Sequence, residues 1–277
     1  MAVQIFGKDR HMKTILTLAL SLSLASSLAS GAATLDKPDR FCITQYNQCL
    51  AAVAATAAKA EVITSTDYVW NAKDGDKVAA LKLKGDIARG KKSYEICAAC
   101  HLPNGSGVSN IRFPQLAGQH ASVMIKQLSD IRAGIRYTPT MEPFAKTRKG
   151  PQELADLAAY IETLCIPHEH GRYDGADADQ RIAEGKAIYI DKCKICHGAD
   201  GDGDKAQFYP VIAGQHYQYL VRQLIEIRDG IRHNADPDMV KALKKFSDSD
   251  RVAVSAYMAS LSMAGRMCPA AVDSKKK

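Results

Sequence analysis

"CAACH" at residues 97–101 and "CKICH" at 193–197 decide how this chain is read. Two thiols sit three apart and an imidazole follows at once, twice. Four chemistries use cysteine pairs at this spacing. Structural zinc wants four ligands in two well-spaced pairs, and leaves both histidines without a reason. A redox dithiol of the thioredoxin kind needs a βαβ context, and no alternating strand pattern surrounds either motif. A plain disulfide leaves the histidines idle as well. Covalent haem attachment uses every letter: each cysteine forms a thioether to a haem vinyl group, and the adjacent histidine is carried under the iron. The sequence thus predicts two haem c groups, held by Cys97, Cys100 and His101 and by Cys193, Cys196 and His197.

The surroundings of the motifs repeat too. With a shift of 96, residues 97–136 match 193–232 at 17 of 40 positions. Gly105 and Gly107 return as Gly201 and Gly203, and "PQLAGQH" at 114–120 returns as "PVIAGQH" at 210–216. One module therefore occurs twice, at 86–172 and 178–268, each of a size usual for a small domain. Each reads as helices and loops. A helix leads into the motif, a Gly-rich loop follows, and a second helix starts after "AGQH". In the second copy Leu220, Val221, Leu224, Ile227 and Ile231 give that helix an apolar face. Gly134 and Gly230 stand where left-handed caps belong. Closing helices begin at Pro151 and after Ser247, which makes a capping box with Asp250. Aromatics are only 6% of the chain, a thin supply of bulky core residues that two haems would supplement.

A sixth iron ligand must come from the segment after the long helix. Met141 lies 40 residues beyond His101 and Met239 lies 42 beyond His197, both shortly after a proline and before the last helix. A thioether favours ferrous iron and raises the potential. His120 and His216, also duplicated, compete; they read as surface or helix-start residues. Met124, Met258, Met263 and Met267 lack such counterparts and read as packing residues.

The remaining sequence sets the context. Residues 1–33 have a basic start at Lys8, Arg10 and Lys13, an apolar run from Ile15 and small residues near Ala32, the pattern of an export signal. Its loss, with three basic residues and Asp9, takes the formal charge from +7 to +5; three of the remaining positive charges are the lysines at 275–277, in the basic tail at 269–277. No basic stripe with interleaved aromatics points to nucleic acid. No later apolar run reaches the ~20 residues of a membrane span. Export permits disulfides among Cys42, Cys49, Cys165 and Cys268, with three connectivities open and a bridge between the modules from Cys165 to Cys268 among the options. Residues 34–85 form an extension, with an Ala-rich helix expected around Cys42 and Cys49.

The paired CxxCH motifs, the Pro-x-hydrophobic-AGQH stretches and the "QL..IR.GIR" helices resemble the c4-type dihaem cytochromes over residues 86–265. The resemblance implies an all-α fold of two tandem class I cytochrome c domains, here with an N-terminal extension that reads as helical. It implies that the carbonyls of Pro114 and Pro210 accept a hydrogen bond from the axial histidines. It implies that Gly90 and Gly185 lie where first and last helices cross, beside Tyr160 and Tyr257. Gly90 stands seven residues before its motif and Gly185 eight, so the two crossings are expected to differ. Arg132, Arg136, Arg228 and Arg232 read either as neighbours of haem propionates or as a solvated helix face. The implied function is single-electron transfer in the periplasm, with no catalysis. A quinol–cytochrome c reductase is the implied donor and a membrane haem–copper oxidase the implied acceptor. Two alternatives stay open: a cytochrome subunit of a periplasmic dehydrogenase, and a haem enzyme with one open iron.

Overall fold

The computed structural model describes residue 70 and residues 75–109, 113–168 and 170–269. The signal-like segment, Cys42, Cys49, the Ala-rich stretch and the basic tail lie outside the described residues. Ten helices occur among them, with only two isolated β-bridges. A short helix, α1 (Gly75–Leu81), precedes the first module. That module contains α2 (Ile87–His101), α3 (Ala121–Arg132), α4 (Glu142–Lys146) and α5 (Pro151–Thr163). The second contains α6 (Ala178–Lys192), α7 (Lys194–His197), α8 (Tyr217–Arg228), α9 (Pro237–Leu243) and α10 (Asp248–Ser260).

In each module the first and last helices cross at a glycine. A Cβ on Gly90 would lie 2.0 Å from the Asp156 carbonyl oxygen, and one on Gly185 would lie 1.9 Å from that of Ala253. Only hydrogen fits at either point, so backbones touch where side chains would hold them apart. Tyr94 then packs against Tyr160 with ring centroids 5.3 Å apart, and Tyr189 against Tyr257 at 5.2 Å. The tyrosine hydroxyls donate to the carbonyls of Leu102 (2.9 Å) and Gly198 (2.8 Å), tying each first helix to the residue after its histidine. The crossings are thus alike. The extra residue of the second module falls between Tyr189 and Cys193, where the helix breaks and restarts as α7.

α3 and α8 lay their apolar faces on the closing helices α5 and α10. Met124, Leu128, Leu157 and Ile161 form the core of the first module; Leu220, Leu224, Ile227 and Val254 form that of the second. Met258 and Met263 are buried as well, the packing role expected of them. The expected caps are present: Gly134 and Gly230 have φ of 74° and 71°, Pro151 opens α5, and Ser247 and Asp250 complete their capping box.

A third small cluster, Ile166, Val211, Ala213 and Met263, lies where the modules meet. Cys165 and Cys268 form a disulfide across it, so the end of the second module is fastened to the end of the first. Ile166 and Cys268 reinforce the staple with backbone hydrogen bonds of 2.8 Å on either side.

Candidate haem sites and the module junction

Both CxxCH motifs open onto one continuous cavity of about 840 Å3 between the modules. Cys97, His101 and Met141 line it from one module, and Cys193, Cys196, His197 and Met239 from the other. Its walls are apolar, with Leu128, Ile131 and Leu157 facing Leu224, Ile227 and Val254. Cys100 is half-buried on α2 and is not part of the lining. None of the four motif cysteines is in a disulfide. Burial pushes the Cys97 thiol up, and the Cys193 thiol up to about 12, unlike the acidic thiols of redox dithiols.

The two histidines share one geometry. His101 Nδ1 lies 2.8 Å from the Pro114 carbonyl oxygen and His197 Nδ1 lies 3.3 Å from that of Pro210. A carbonyl only accepts, so Nδ1 carries the proton and donates. Each Nε2 then keeps its lone pair. His101 Nε2 is buried and has no hydrogen-bond partner, an orphaned acceptor in an apolar wall. Burial lowers the pKa of both rings, which keeps them neutral, the form that binds a metal. A buried neutral imidazole, its ring fixed from behind and its free nitrogen in a cavity beside two cysteines, fits a haem iron.

Met141 and Met239 reach the cavity by different local routes. Met141 is the N-cap residue of α4, while Met239 sits in the first turn of α9. Asp236 caps that turn with its carboxylate, accepting from the amides of Asp238 (2.8 Å) and Met239 (3.4 Å). Both methionines are half-buried.

His120 and His216 are not surface residues, as their sequence suggested. They are N-cap residues, 7% and 2% exposed, and they belong to the junction. His120 Nε2 lies 2.7 Å from the Asp202 carbonyl in the haem loop of the other module. His216 faces the equivalent Ser106 backbone, more loosely, and burial takes its pKa down to about 4. The preceding glutamines form a reciprocal clasp. Gln119 exchanges two hydrogen bonds of 2.9 Å with the backbone of Val211. Gln215 does the same to Gln115, at 3.0 and 3.1 Å. Each clasped residue directly follows the proline that holds a haem-side histidine. The duplicated "AGQH" was visible in the sequence, but pairing across modules is not a local property, and its role was missed.

The four arginines divide. Arg136 and Arg232 line the cavity and meet around two glutamines, with Arg136 donating to Gln127 (2.8 Å) and Arg232 to Gln223 (2.6 Å). Each also reaches across, Arg136 to Gln223 and Arg232 to Gln127, at 3.2 Å. Burial and the nearby Arg136 bring Arg232 down to about 10. Arg132 and Arg228 instead bind Asp76 (3.0 Å) and Asp229 (2.5 Å). Lys126, fully buried beside Asp130, adds a third cation at the junction.

The comparisons agree with this arrangement. The Cytochrome c family model matches residues 87–165 and again 182–262, more than half of the chain. Cytochrome c4 of Azotobacter vinelandii is 34% identical over 198 residues, 64% of this chain and 90% of that protein. A thiosulfate dehydrogenase electron acceptor of Stutzerimonas stutzeri is 34% identical over 196 residues, 65% of this chain and 90% of that one. The crystal structure of reduced cytochrome c4 from Pseudomonas stutzeri superposes with a TM-score of 0.56 at 29% identity, covering 64% of this chain and all of that one. Two haem c groups bound covalently and an electron-transfer role follow from these relationships. The chain belongs to the cytochrome c family, as a dihaem protein of the c4 type with two tandem modules.

Proposed function

We propose that the chain is an exported, periplasmic carrier that passes single electrons between its two haems and between redox proteins, without catalysing a substrate reaction. Cys97, Cys100, Cys193 and Cys196 would hold the haems, and His101 with Met141 and His197 with Met239 would ligate the two irons. Bound haem supplies a one-electron Fe(III)/Fe(II) couple. The chain's part is to hold each imidazole neutral and oriented through Pro114 or Pro210. It would also enclose the cofactor in apolar side chains, with Arg136 and Arg232 on the cavity wall as cations for haem carboxylates. The observation that carries this reading is the cavity itself: two neutral imidazoles, two methionines and three of the four motif cysteines on its walls.

The signal-like residues 1–33 support export. A relative named as a thiosulfate dehydrogenase electron acceptor supports a periplasmic dehydrogenase as donor, alongside a quinol–cytochrome c reductase, with a haem–copper oxidase as acceptor. The test is an optical spectrum of the purified protein, oxidised and reduced, with and without carbon monoxide, and a pyridine assay of haem. Two low-spin haems per chain, a Met–ferric near-infrared band and no response to carbon monoxide are expected. Carbon monoxide binding at one haem of the native protein would move the reading to an enzyme.

A further inference from the structure

The family match begins at residue 87, so what precedes it is additional to the module. That addition is anchored. Ala80 of α1 is fully buried against the first module, and Asp76 pairs with Arg132 at 3.0 Å. The Lys84 carbonyl accepts from Gln152 (3.1 Å), and a Cβ on Gly85 would lie 2.3 Å from the Ala155 carbonyl oxygen. It also reaches the second module, where Lys77, 7% exposed, places its ammonium 5.7 Å from the Phe208 ring centroid.

Trp70, the only tryptophan of the chain, lines the cavity with Gln127, Arg136, Tyr219 and Arg232. The Lys126 ammonium sits over its ring, 4.2 Å from the centroid. That ammonium is fully buried, bonded to Asp130 and 3.4 Å from the Asn234 carbonyl of the other module. An extension residue thus stands against a desolvated cation at the seam of the modules, on the wall of the haem cavity.

We propose that Trp70 is a positioning residue that plugs the module junction, excludes water from the haem cavity and thereby holds up the potential of at least one haem. This rests on the haem reading above. Ferric haem carries one more positive charge than ferrous haem. Water at the cavity wall stabilises the more charged form, so an apolar ring that keeps water out favours ferrous haem. Replacing the ring with water would hydrate the cavity wall and so stabilise the ferric form.

The test uses the full-length haem-loaded protein, with haem content by the pyridine assay and midpoints by optical redox titration. Trp70→Ala is expected to keep two low-spin haems. The ferric-to-ferrous ratio at one of them should rise about tenfold at fixed potential, a midpoint lower by about 59 mV for one electron. Trp70→Phe, which keeps a ring over Lys126, should recover most of that shift. A purely structural tryptophan would lower the unfolding midpoint and leave the potentials alone. A two-haem Trp70→Ala protein with both parental potentials overturns the proposal. If the alanine variant does not accumulate with two haems, Trp70→Leu decides: an intermediate drop supports the plug, and parental potentials overturn it. A parent protein without covalent haem fails earlier, and takes the functional reading with it.

Discussion

The two modules carry the same candidate ligand residues on different local supports. In the first, α2 runs unbroken through Cys97, Cys100 and His101; in the second, the helix breaks at Cys193 and restarts. The histidine–proline hydrogen bond is 2.8 Å in one and 3.3 Å in the other. The residue after the histidine is Leu102 at φ 63° in the first and Gly198 at φ 76° in the second. Only the first module carries α1 on its flank. Duplication has therefore kept the chemistry of the pocket while its supports diverged. Two haems in such settings should have different potentials, which gives electrons a preferred order of occupancy.

The proposed axial ligands offer the sharpest way to separate the modules. Axial ligation moves haem potentials over a range of about 0.8 V, so Met141→Ala and Met239→Ala should have the largest effects. Each should open one iron only: half of the haem binds carbon monoxide, half of the near-infrared Met–ferric band is lost, and one midpoint falls. A variant with the parental spectrum would reject that methionine as a ligand.

The disulfide tests how far the modules depend on each other. Cys165 and Cys268 close a loop spanning the whole second module, with a sequence separation of 103. Cys165→Ser with Cys268→Ser should cost about 2–4 kcal/mol in denaturant unfolding. The haem spectra should survive, because the staple lies outside both ligand sets. A smaller effect is expected from the clasp. Gln119→Ala or Gln215→Ala removes two hydrogen bonds and leaves backbone groups unpaired at the junction, at about 1–3 kcal/mol each. Similar costs for the two would mark the clasp as symmetric in energy as in geometry. Clearly unequal costs would show that only one side holds the junction.

The smallest effect is local to the first module. Leu102 combines φ 63° with ψ 156°, a region almost confined to glycine that costs another residue about 1–3 kcal/mol. Leu102→Gly, which copies the second module, should relieve that strain, partly offset by the greater freedom of glycine in the unfolded chain. The net change expected is a gain of under about 1 kcal/mol in chemical unfolding. A loss would mean that the Leu102 side chain, 38% exposed, makes contacts worth more than its strain.

Much of this was legible from one dimension. CxxCH, the spacing to each methionine and the glycines at the crossings are local patterns, and the structure gathers both methionines and the motif residues, Cys100 excepted, around a shared cavity. Capping signals were equally readable, since a cap acts within one turn. The histidines at 120 and 216 were misread for the opposite reason. Their helix-start position is local, but their burial comes from the other module, about 80 residues away in sequence for His120 and Asp202. The arginines divided for the same reason: Arg132 ends α3 and Arg136 lies four residues on, past the Gly134 cap, yet only Arg136 meets the other module's glutamine.

By itself, then, the sequence determined the module, its duplication, its helical class and the chemistry of its pocket, because all of these are written in short-range spacing. Tertiary structure alone decided that Cys165 pairs with Cys268, which arginines face the haem cavity, what "AGQH" does and where Trp70 stands. Each of those depends on two surfaces meeting. Contacts between surfaces are set by the summed packing of both modules, and no short stretch of chain encodes that sum.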